Sequence, residues 1–298
     1  MKNKKSYSEN PRVKAKNSKK GTVNGLTESI RRENSTPLTT FINDGTKFVE
    51  QYERKSSEIQ NQRQKMPKKT LKDGSKYKGE WLDSSRDGMG MNIYPDKSEY
   101  IGTWLNDLPF GYGKMTYSDD STYEGEWRNG KPHGRGKFIY QNGSTYEGDF
   151  ADNMKHGYGI ETVSGSQYRY AGEFINDVQQ GVGNLRYNDG SIYQGNFEHS
   201  QCNGSGTYKW NDGKVYEGQW CEGKMHGNGK LTWPDGRYYD GAFKNDKKHG
   251  LGEHYWADGR LYNGHWKNGV QHGTGTYYDG TGMSREGVWR SGKLVKFT

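Results

Sequence analysis

The sequence predicts an all-β protein: an elongated, single-layer meander of antiparallel β-hairpins that follows a basic and largely extended N-terminal tail. Three observations support this fold class. A Tyr-x-Gly-x-Trp/Phe pattern recurs nine times, glycine-containing dipeptides typical of tight turns separate the copies, and 14% of the residues are aromatic although only 29% are hydrophobic. Regular repeats with few aliphatic residues favour a thin array in which each copy packs on the next.

The tail, residues 1–70, comes first and carries most of the positive charge of the chain. It holds 17 Lys/Arg against 7 Asp/Glu, a net of +10, whereas the remaining residues hold 27 against 29, a net of −2. An arm of this composition is attracted to the acidic surface of a protein, of an anionic lipid bilayer or of nucleic acid. The basic residues near its start are Lys2, Lys4, Lys5, Arg12, Lys14, Lys16, Lys19 and Lys20.

The end of the tail, residues 46–65, has apolar residues at roughly helical spacing, namely Phe48, Tyr52 and Ile59. One interpretation is a short amphipathic helix that covers the open edge of the first strand of the array, near residues 76–82. The other is a disordered linker. The residues alone favour neither.

The repeat array is predicted for residues 71–298, with nine clear copies and a degenerate C-terminal one at 285–289. The copies are 23 residues apart, except for 24 between Tyr146 and Tyr170, which predicts a bulge near residues 164–169. The repeat-defining residues are Tyr77, Gly79, Trp81, Tyr100, Gly102, Trp104, Tyr123, Gly125, Trp127, Tyr146, Gly148, Phe150, Tyr170, Gly172, Phe174, Tyr193, Gly195, Phe197, Tyr216, Gly218, Trp220, Tyr239, Gly241, Phe243, Tyr262, Gly264 and Trp266.

Each copy is predicted to be a hairpin. In the third copy one strand runs through Tyr123 and Trp127, Asn129-Gly130 makes a tight turn, and alternation resumes over residues 134–140. Asp-Gly dipeptides such as Asp189-Gly190 predict a type I′ turn at the junction with the next copy. Glycines on the aromatic face leave room for a ring from the adjacent strand to lie across the backbone.

The histidines that precede a glycine raise the hypothesis of a metal site. Copies of one position should lie about 10 Å apart along the sheet, whereas zinc donors lie about 2.0 Å from their ion. We therefore expect each histidine to pack beside its glycine and the chain to hold no metal; a metal that bridges two molecules is the alternative. These residues are His133, His156, His226, His249 and His272.

Other chemistry is not indicated. Gly134-Arg135-Gly136 lacks the third glycine of a dinucleotide loop, and no nucleophile with a base is recognisable. We expect no cofactor and no catalytic residue, so the chain is predicted not to be an enzyme. Two cysteines and no apolar stretch of signal-peptide or membrane-spanning length predict a soluble, reduced, cytoplasmic protein.

The aromatic face allows two interpretations. Its rings are consumed in packing against glycines, or some of them form a place where a helix or strand of a partner docks. The candidates for partner contact are Trp210, Trp233, Tyr255 and Trp256, towards the C-terminal half.

The pattern resembles the MORN (membrane occupation and recognition nexus) repeat, whose signature runs Y-x-G-x-W/F, H-G-x-G and then D-G. The likeness covers about residues 73–292. Four copies depart from the signature, because residues other than His precede the glycine. They are Asp87, Phe110, Gln180 and Asn203.

The resemblance implies a scaffold. Similar proteins include radial-spoke head components, cortical scaffolds, junctophilins and arrays attached to lipid kinases. We expect a structural subunit of an axonemal, radial-spoke-like or cortical complex, in the cytoskeleton and most of all in a cilium, with the tail on an acidic protein such as tubulin. The alternative is a peripheral membrane protein that binds anionic phospholipid through the tail and the MORN face; nucleic acid ranks last.

Overall fold

The computed structural model describes residues 62–165 and 168–298. Their regular structure is one antiparallel sheet of 21 strands, in which each strand pairs with the strands before and after it in the chain. The all-β hairpin meander predicted from the sequence is thereby confirmed. The strands are β1 Gln64–Thr70, β2 Lys76–Leu82, β3 Ser85–Ile93, β4 Glu99–Leu105, β5 Leu108–Thr116, β6 Thr122–Arg128, β7 Lys131–Ile139, β8 Thr145–Ala151, β9 Met154–Val163, β10 Tyr168–Ile175, β11 Val178–Tyr187, β12 Ile192–Glu198, β13 Gln201–Lys209, β14 Val215–Cys221, β15 Lys224–Thr232, β16 Tyr238–Lys244, β17 Lys247–Tyr255, β18 Leu261–Lys267, β19 Val270–Tyr278, β20 Ser284–Arg290 and β21 Lys293–Phe297.

Within the described part of the chain, no helix has the length and apolar character needed to cross a membrane.

Tight turns of two residues join the strands within a repeat. Asn129 and Gly130 connect β6 to β7 with φ angles of +52° and +76°. Positive φ at both central residues is the geometry of a type I′ turn, whose twist matches that of the flanking strands. The N–H of Gly130 also donates to the carbonyl oxygen of Pro109 in the preceding repeat, at 2.9 Å. Each tight turn is therefore bound to the repeat before it.

Five-residue loops join one repeat to the next, and here the predicted turn type is wrong. In the loop of residues 187–191 the Gly190 N–H donates to the Tyr187 carbonyl oxygen at 3.1 Å, and only Gly190 has positive φ, +89°. This is a type I turn followed by a left-handed residue. The Asp189 carboxylate accepts the N–H of Ser191 at 2.8 Å, which holds the aspartate outside the left-handed conformation that a type I′ turn requires.

A β-bulge that was not predicted from the sequence interrupts the hairpin within every repeat. Gly125 pairs with Gly136, but Trp127 pairs with Pro132, so Glu126 faces three residues of β7 instead of one. Gly134, inside the bulge, has φ of +64°. The same shift of register occurs in the other eight repeats. The second part of the repeat signature therefore encodes a bulge.

The bulge gives the repeated tyrosine a second role. Tyr123 Oη donates to the carbonyl oxygen of Glu126, the residue opposite the bulge, at 2.8 Å. Each of the nine tyrosines makes the same bond to the residue three positions later. A buried carbonyl left without a partner costs about 1–3 kcal/mol, so this hydroxyl stabilises the bulge.

Among the described residues on either side of positions 166 and 167, the bulge predicted near residues 164–169 is not found. Strands β9 and β10 pair without a shift of register from Tyr168 opposite Val163 to Phe174 opposite Gly157. The extra residue adds one pair to the hairpin, since the strands are 10 and 8 residues long. The connecting loop falls at 164–167, of which residues 166 and 167 lie outside the described part.

The N-terminal boundary of the sheet also differs from the prediction. Residues 64–70, assigned to the tail, form strand β1, and β1 pairs with β2 at the edge where a capping helix was one of the two interpretations. Strand pairing needs only backbone groups, so a polar Lys-rich segment can add to a sheet. Pro67 lies within this strand, as is common at sheet edges. The eight basic tail residues and positions 46–61 of the predicted helix lie outside the described residues.

The core is a single row of rings, here called the aromatic spine. It consists of the nine repeat tyrosines, all 0% exposed, and the ten Trp and Phe residues that alternate with them from Trp81 to Trp289. Tyr100 meets Trp104 of its own repeat and Trp127 of the next, edge to face, with centroids 5.1 and 5.0 Å apart. Such ring pairs contribute about 0.5–1.5 kcal/mol each beyond burial.

Glycines are required where the tyrosines cross the sheet. A Cβ atom added to Gly136 would lie 2.4 Å from Tyr123 Oη, and one added to Gly125 would lie 2.4 Å from the Cα of Gly136. No side chain fits such distances. The glycine pair thus allows the ring to lie against the backbone, and a single layer can bury its core.

Candidate functional site

The two faces of the sheet differ in character. The inner face carries the aromatic spine, whereas Glu124 and Glu126 of β6 point to the outer face and are exposed. The outer face is not only a solvated surface, because Glu126 Oε1 accepts the N–H of Arg135 at 3.1 Å, just after the bulge glycine. Glu80 and Gln219 make the same contact in their repeats, at 2.8 Å each. These three outer-face side chains therefore stabilise the bulge in their repeats.

Two of the five histidines, His133 and His272, contact the tight turn of the next repeat, whereas the Nδ1 atoms of His156, His226 and His249 are buried without a hydrogen-bond partner among the described residues. His133 Nδ1 faces the N–H of Asp152, the first residue of the next tight turn, at 3.5 Å. Two residues that replace histidine act alike: Asp87 accepts the N–H of Asn106 at 3.3 Å, and Gln180 accepts that of His199 at 3.2 Å. Two of the four departures from the signature therefore keep an acceptor here. In residues 62–165 and 168–298 no three His, Cys, Asp or Glu side chains are placed to hold a metal ion.

A second row of rings lies at the first position of the five-residue loops, beside the spine. Its members are half-buried: Tyr94, Tyr117, Tyr140, Tyr187, Trp210, Trp233 and Trp256. Three of the four residues predicted to contact a partner therefore share one row. The fourth, Tyr255, lies on the other face, where it stacks on Tyr238 with centroids 5.4 Å apart and planes 16° apart.

Each tryptophan of this row is covered by a cation from the fifth position of its own loop. Lys214 Nζ lies 4.1 Å from the Trp210 ring centroid. The guanidinium of Arg237 is 5.4 Å from Trp233, and that of Arg260 is 5.5 Å from Trp256. A W-x-D-G-[K/R] motif, visible in the sequence, marks these three loops. We call these six residues the Trp-cation ladder.

A further row on the inner face runs next to the Trp/Phe members of the spine, and three of its residues are basic. The Arg86 guanidinium lies 4.3 Å from the Trp104 ring, and its Nε pairs with Asp107 Oδ1 at 3.1 Å. Lys155 forms an ion pair with Glu161. The same row holds Pro109, Pro132, Gln179, Cys202, Met225 and Gln271 at the other copies.

Lys248 is the third basic residue, and its surroundings differ. Its Nζ lies 4.6, 4.9 and 5.5 Å from the ring centroids of Trp266, Tyr239 and Trp233, and 3.1 Å from His254 Nδ1. Burial, followed by the nearby charge of Arg237, lowers the pKa of Lys248 to about 8. Among the described residues, no carboxylate forms an ion pair with this ammonium.

His254 stays neutral beside this lysine. It is 7% exposed, and burial followed by the charge of Lys248 lowers its pKa to about 4. A neutral ring nitrogen can accept a hydrogen bond from the ammonium, but it supplies no negative charge. Nothing in the sequence pattern pointed to this pair, since the six-residue separation brings the two side chains together only across the bulge.

The repeat unit of the sheet corresponds to a known sequence family. The model of the MORN-repeat family matches nine segments, at residues 77–99, 100–122, 123–145, 146–166, 170–192, 193–215, 216–236, 239–259 and 262–284. The chain belongs to the MORN-repeat family. MORN repeats are typical of scaffolds that interact with proteins or lipids.

Two solved structures show weak similarity to the chain. The TCP domain of SAS-4 from Drosophila melanogaster, in complex with a proline-rich motif of Ana2, is 13% identical, with 68% of this chain and 96% of that chain covered and a TM-score of 0.33. A streptogramin B lyase is 12% identical, with 76% and 69% covered and a TM-score of 0.16. No curated protein sequence matches the chain.

Proposed function

We propose that this MORN-repeat protein is a non-enzymatic scaffold that binds protein partners along the inner face of its array. The observation that carries the proposal is the Trp-cation ladder. Three half-exposed Trp rings, each with a cation over it, recur in successive loops on one face. Trp and Arg are enriched among the residues that contribute most to protein interfaces.

The construction of the array supports a role as a spacer. Twenty strand-to-strand steps of about 4.8 Å give a sheet of roughly 95 Å before twist is considered. Backbone bonds from each tight turn to the preceding repeat, such as Gly130 N–H to Pro109 O at 2.9 Å, tie neighbouring repeats together. A long and internally bonded sheet suits contact along its length.

The cellular setting is part of the proposal. A tail with a net charge of +10 ahead of an array near neutrality suits an acidic protein lattice such as microtubules. We place the protein in the cytoplasm, as a subunit of a cytoskeletal complex of axonemal, radial-spoke-like or cortical type. Binding to anionic phospholipid is the rival, because about 1 kcal/mol per basic residue near such a surface would suffice for reversible attachment.

Co-sedimentation separates the two settings. The full chain is mixed with microtubules or with phosphatidylserine vesicles, beside a variant whose eight basic residues between Lys2 and Lys20 are changed to Gln. We expect binding to microtubules that weakens in the variant and with added salt. Tail-dependent binding to vesicles without any binding to microtubules would contradict the cytoskeletal proposal.

Cross-linking tests the inner face separately. The full chain and a variant with Trp210, Trp233 and Trp256 changed to Ser are cross-linked in cells, and linked peptides are identified by mass spectrometry. We expect protein cross-links from residues near these loops in the unaltered chain and their loss in the variant. Equal cross-linking of both chains would show that partners bind elsewhere.

A further inference from the structure

The row of residues beside the Trp/Phe spine members contains two lysines in nearly identical positions. Lys155 and Lys248 both lie opposite a spine Phe, since Lys155 pairs with Phe150 and Lys248 with Phe243. Six residues later the chain carries Glu161 in one case and His254 in the other. The two sites therefore differ in this side chain and in a second one, because Asp177 of the tight turn beside Lys155 corresponds to Gly269 beside Lys248.

The first site neutralises its own charge. Lys155 forms an ion pair with Glu161, and the amide of Gln179 donates to the other carboxylate oxygen at 3.2 Å. Tyr146 and Phe174 lie about the ammonium with centroids at 5.5 and 5.6 Å. Both partners of this pair are therefore satisfied inside the chain.

The second site keeps the aromatic walls and lacks the acid. Lys248 Nζ is surrounded by Trp233, Tyr239 and Trp266 and touches the neutral His254. The nearby Arg237 cannot compensate, because it is a second cation. A half-buried ammonium without a counter-charge is unfavourable, and a ligand that brings a negative charge would relieve it.

We propose that Lys248 binds the carboxylate of a Glu or Asp side chain supplied by a partner protein, in the place that Glu161 occupies beside Lys155. The inference rests on the proposed function, because it takes the partner to be a protein that lies on the inner face. Lys248 keeps part of its surface exposed, so a side chain can reach its ammonium.

The charges at the site favour a carboxylate over a phosphate. Arg237 is paired with Asp235 and Arg260 with Asp258, at 2.7 Å in both cases. Among Arg237, Lys248 and Arg260, only Lys248 is uncompensated, which matches a monoanion, whereas a phosphate group of charge near −2 is usually met by several free Arg or Lys side chains. The flanking Trp233 offers apolar contact to the peptide around the acid.

Binding of two blocked peptides to the full chain tests the inference. One peptide carries a single Glu between Leu residues, and the other carries Gln in place of this Glu. We expect the Glu peptide to bind roughly tenfold or more tightly than the Gln peptide. Lys248→Met should remove this preference. Lys247→Met, which deletes the same charge from the exposed neighbour, should retain it.

A second variant reproduces the self-neutralised site. His254→Glu puts a carboxylate six residues after Lys248, as in the Lys155–Glu161 pair, and should remove the preference for the Glu peptide while the thermal unfolding midpoint holds or rises. Equal binding of the two peptides, or equal losses in Lys247→Met and Lys248→Met, would overturn the inference.

Vesicles and cross-linking complete the test. Binding of phosphatidylserine vesicles that depends on Lys248, without a preference between the peptides, would assign the site to lipid and overturn the inference. If partners still cross-link to the inner face of Lys248→Met and the Glu preference was absent from the start, the scaffold proposal stands and this inference fails. If the unaltered chain forms no cross-links from its inner face, the scaffold proposal is contradicted instead.

Discussion

The loops of the first repeats and those of the later repeats share a backbone and differ in chemistry. In the loop of residues 94–98, Ser98 is 6% exposed and donates its hydroxyl to Asp96 at 2.6 Å. In the loop of residues 233–237, Arg237 takes the serine position, pairs with Asp235 at 2.7 Å and covers Trp233. The N–H of the fifth residue donates to the aspartate in both loops, at 2.9 and 3.1 Å.

The difference shows which part of the loop the fold needs. The aspartate and the backbone of the turn are the same in both regions, so the fifth side chain is not required for the turn. In the first region it is buried and hydrogen-bonded, and it contributes to folding. In the second it is long and basic, and an exposed ion pair of this kind contributes only about 0–1 kcal/mol. The later loops therefore present basic side chains at the surface while the backbone of the turn stays the same.

Alkaline pH should disrupt the aromatic spine, which the two regions share. Burial raises the pKa of Tyr77 and of Tyr262, at opposite ends of the spine, to about 12. Above pH 10 the unfolded chain ionises its tyrosines while the folded chain keeps them protonated, so the free energy of unfolding falls as pH rises. The loss is about 1.4 kcal/mol for each such tyrosine and pH unit.

The measurement is circular dichroism together with tyrosinate absorbance between pH 9 and pH 12. Loss of sheet and tyrosine ionisation should occur in one steep transition that includes both regions. Gradual ionisation of the spine tyrosines with the sheet intact would contradict the burial described here.

Glycine substitutions in the spine should be nearly as damaging, and equally so in both regions. Gly136→Ala and Gly229→Ala each put a Cβ atom 2.4 Å from a tyrosine hydroxyl. We expect each to destabilise the array by about 3 kcal/mol or more. Gly236→Ala is the control, because nothing lies within 4 Å and only its φ of +88° opposes the change. Urea denaturation gives the free energy of unfolding of the three variants, and Gly236→Ala should be the least destabilised.

Loop substitutions should separate the regions. Ser98→Ala removes a buried hydroxyl that is bonded to Asp96, and we expect a loss of about 1 kcal/mol. Arg237→Ala removes an exposed pair and should change the free energy of unfolding by less than about 0.5 kcal/mol. If Arg237→Ala costs as much as Ser98→Ala in thermal denaturation, the basic residues of the later loops are structural.

The last expected effect concerns Lys248 and is about as large as that of Ser98→Ala. Its folded pKa, about 8, is below the ordinary value of 10.5, so the unfolded chain binds more protons between these values and stability rises with pH there. We expect a gain on the order of 1 kcal/mol from pH 7.5 to 9.0, where few tyrosines of the unfolded chain are ionised. Lys248→Met should lack the gain, and Lys247→Met should keep it.

Much of the fold could be predicted because residues close together in the sequence determine it. The 23-residue spacing and the alternation around Tyr123 and Trp127 indicate paired strands, whatever the rest of the chain does. The bulge at Gly134 was missed because two strands must be in register before an excess residue is evident. The junction turns were assigned wrongly because an Asp-Gly pair suits two turn types, and Asp189 decides between them by a side-chain bond.

The candidate site was predicted in part for the same reason. Trp210, Trp233 and Trp256 hold equivalent positions in the repeat, so their common row follows from the spacing. Tyr255 precedes Trp256 directly and must therefore point to the other face of the sheet. Within the described part of the sheet, Lys248 has no ion-pair partner because it is half-buried and because the side chain across the bulge is His254. A sequence whose strand register is unknown predicts neither the burial nor the neighbour.

The bond from each tight turn to the preceding repeat has a consequence for how the molecule could change length. Every junction uses the same kind of contact, as in Gly130 N–H to Pro109 O and Gly269 N–H to Lys248 O, both 2.9 Å. A whole 23-residue unit could be added or removed with the other junctions left intact. Each step would alter the reach of the array by roughly 10 Å. Equivalent binding groups in successive repeats therefore lie at a fixed distance from one another along the sheet.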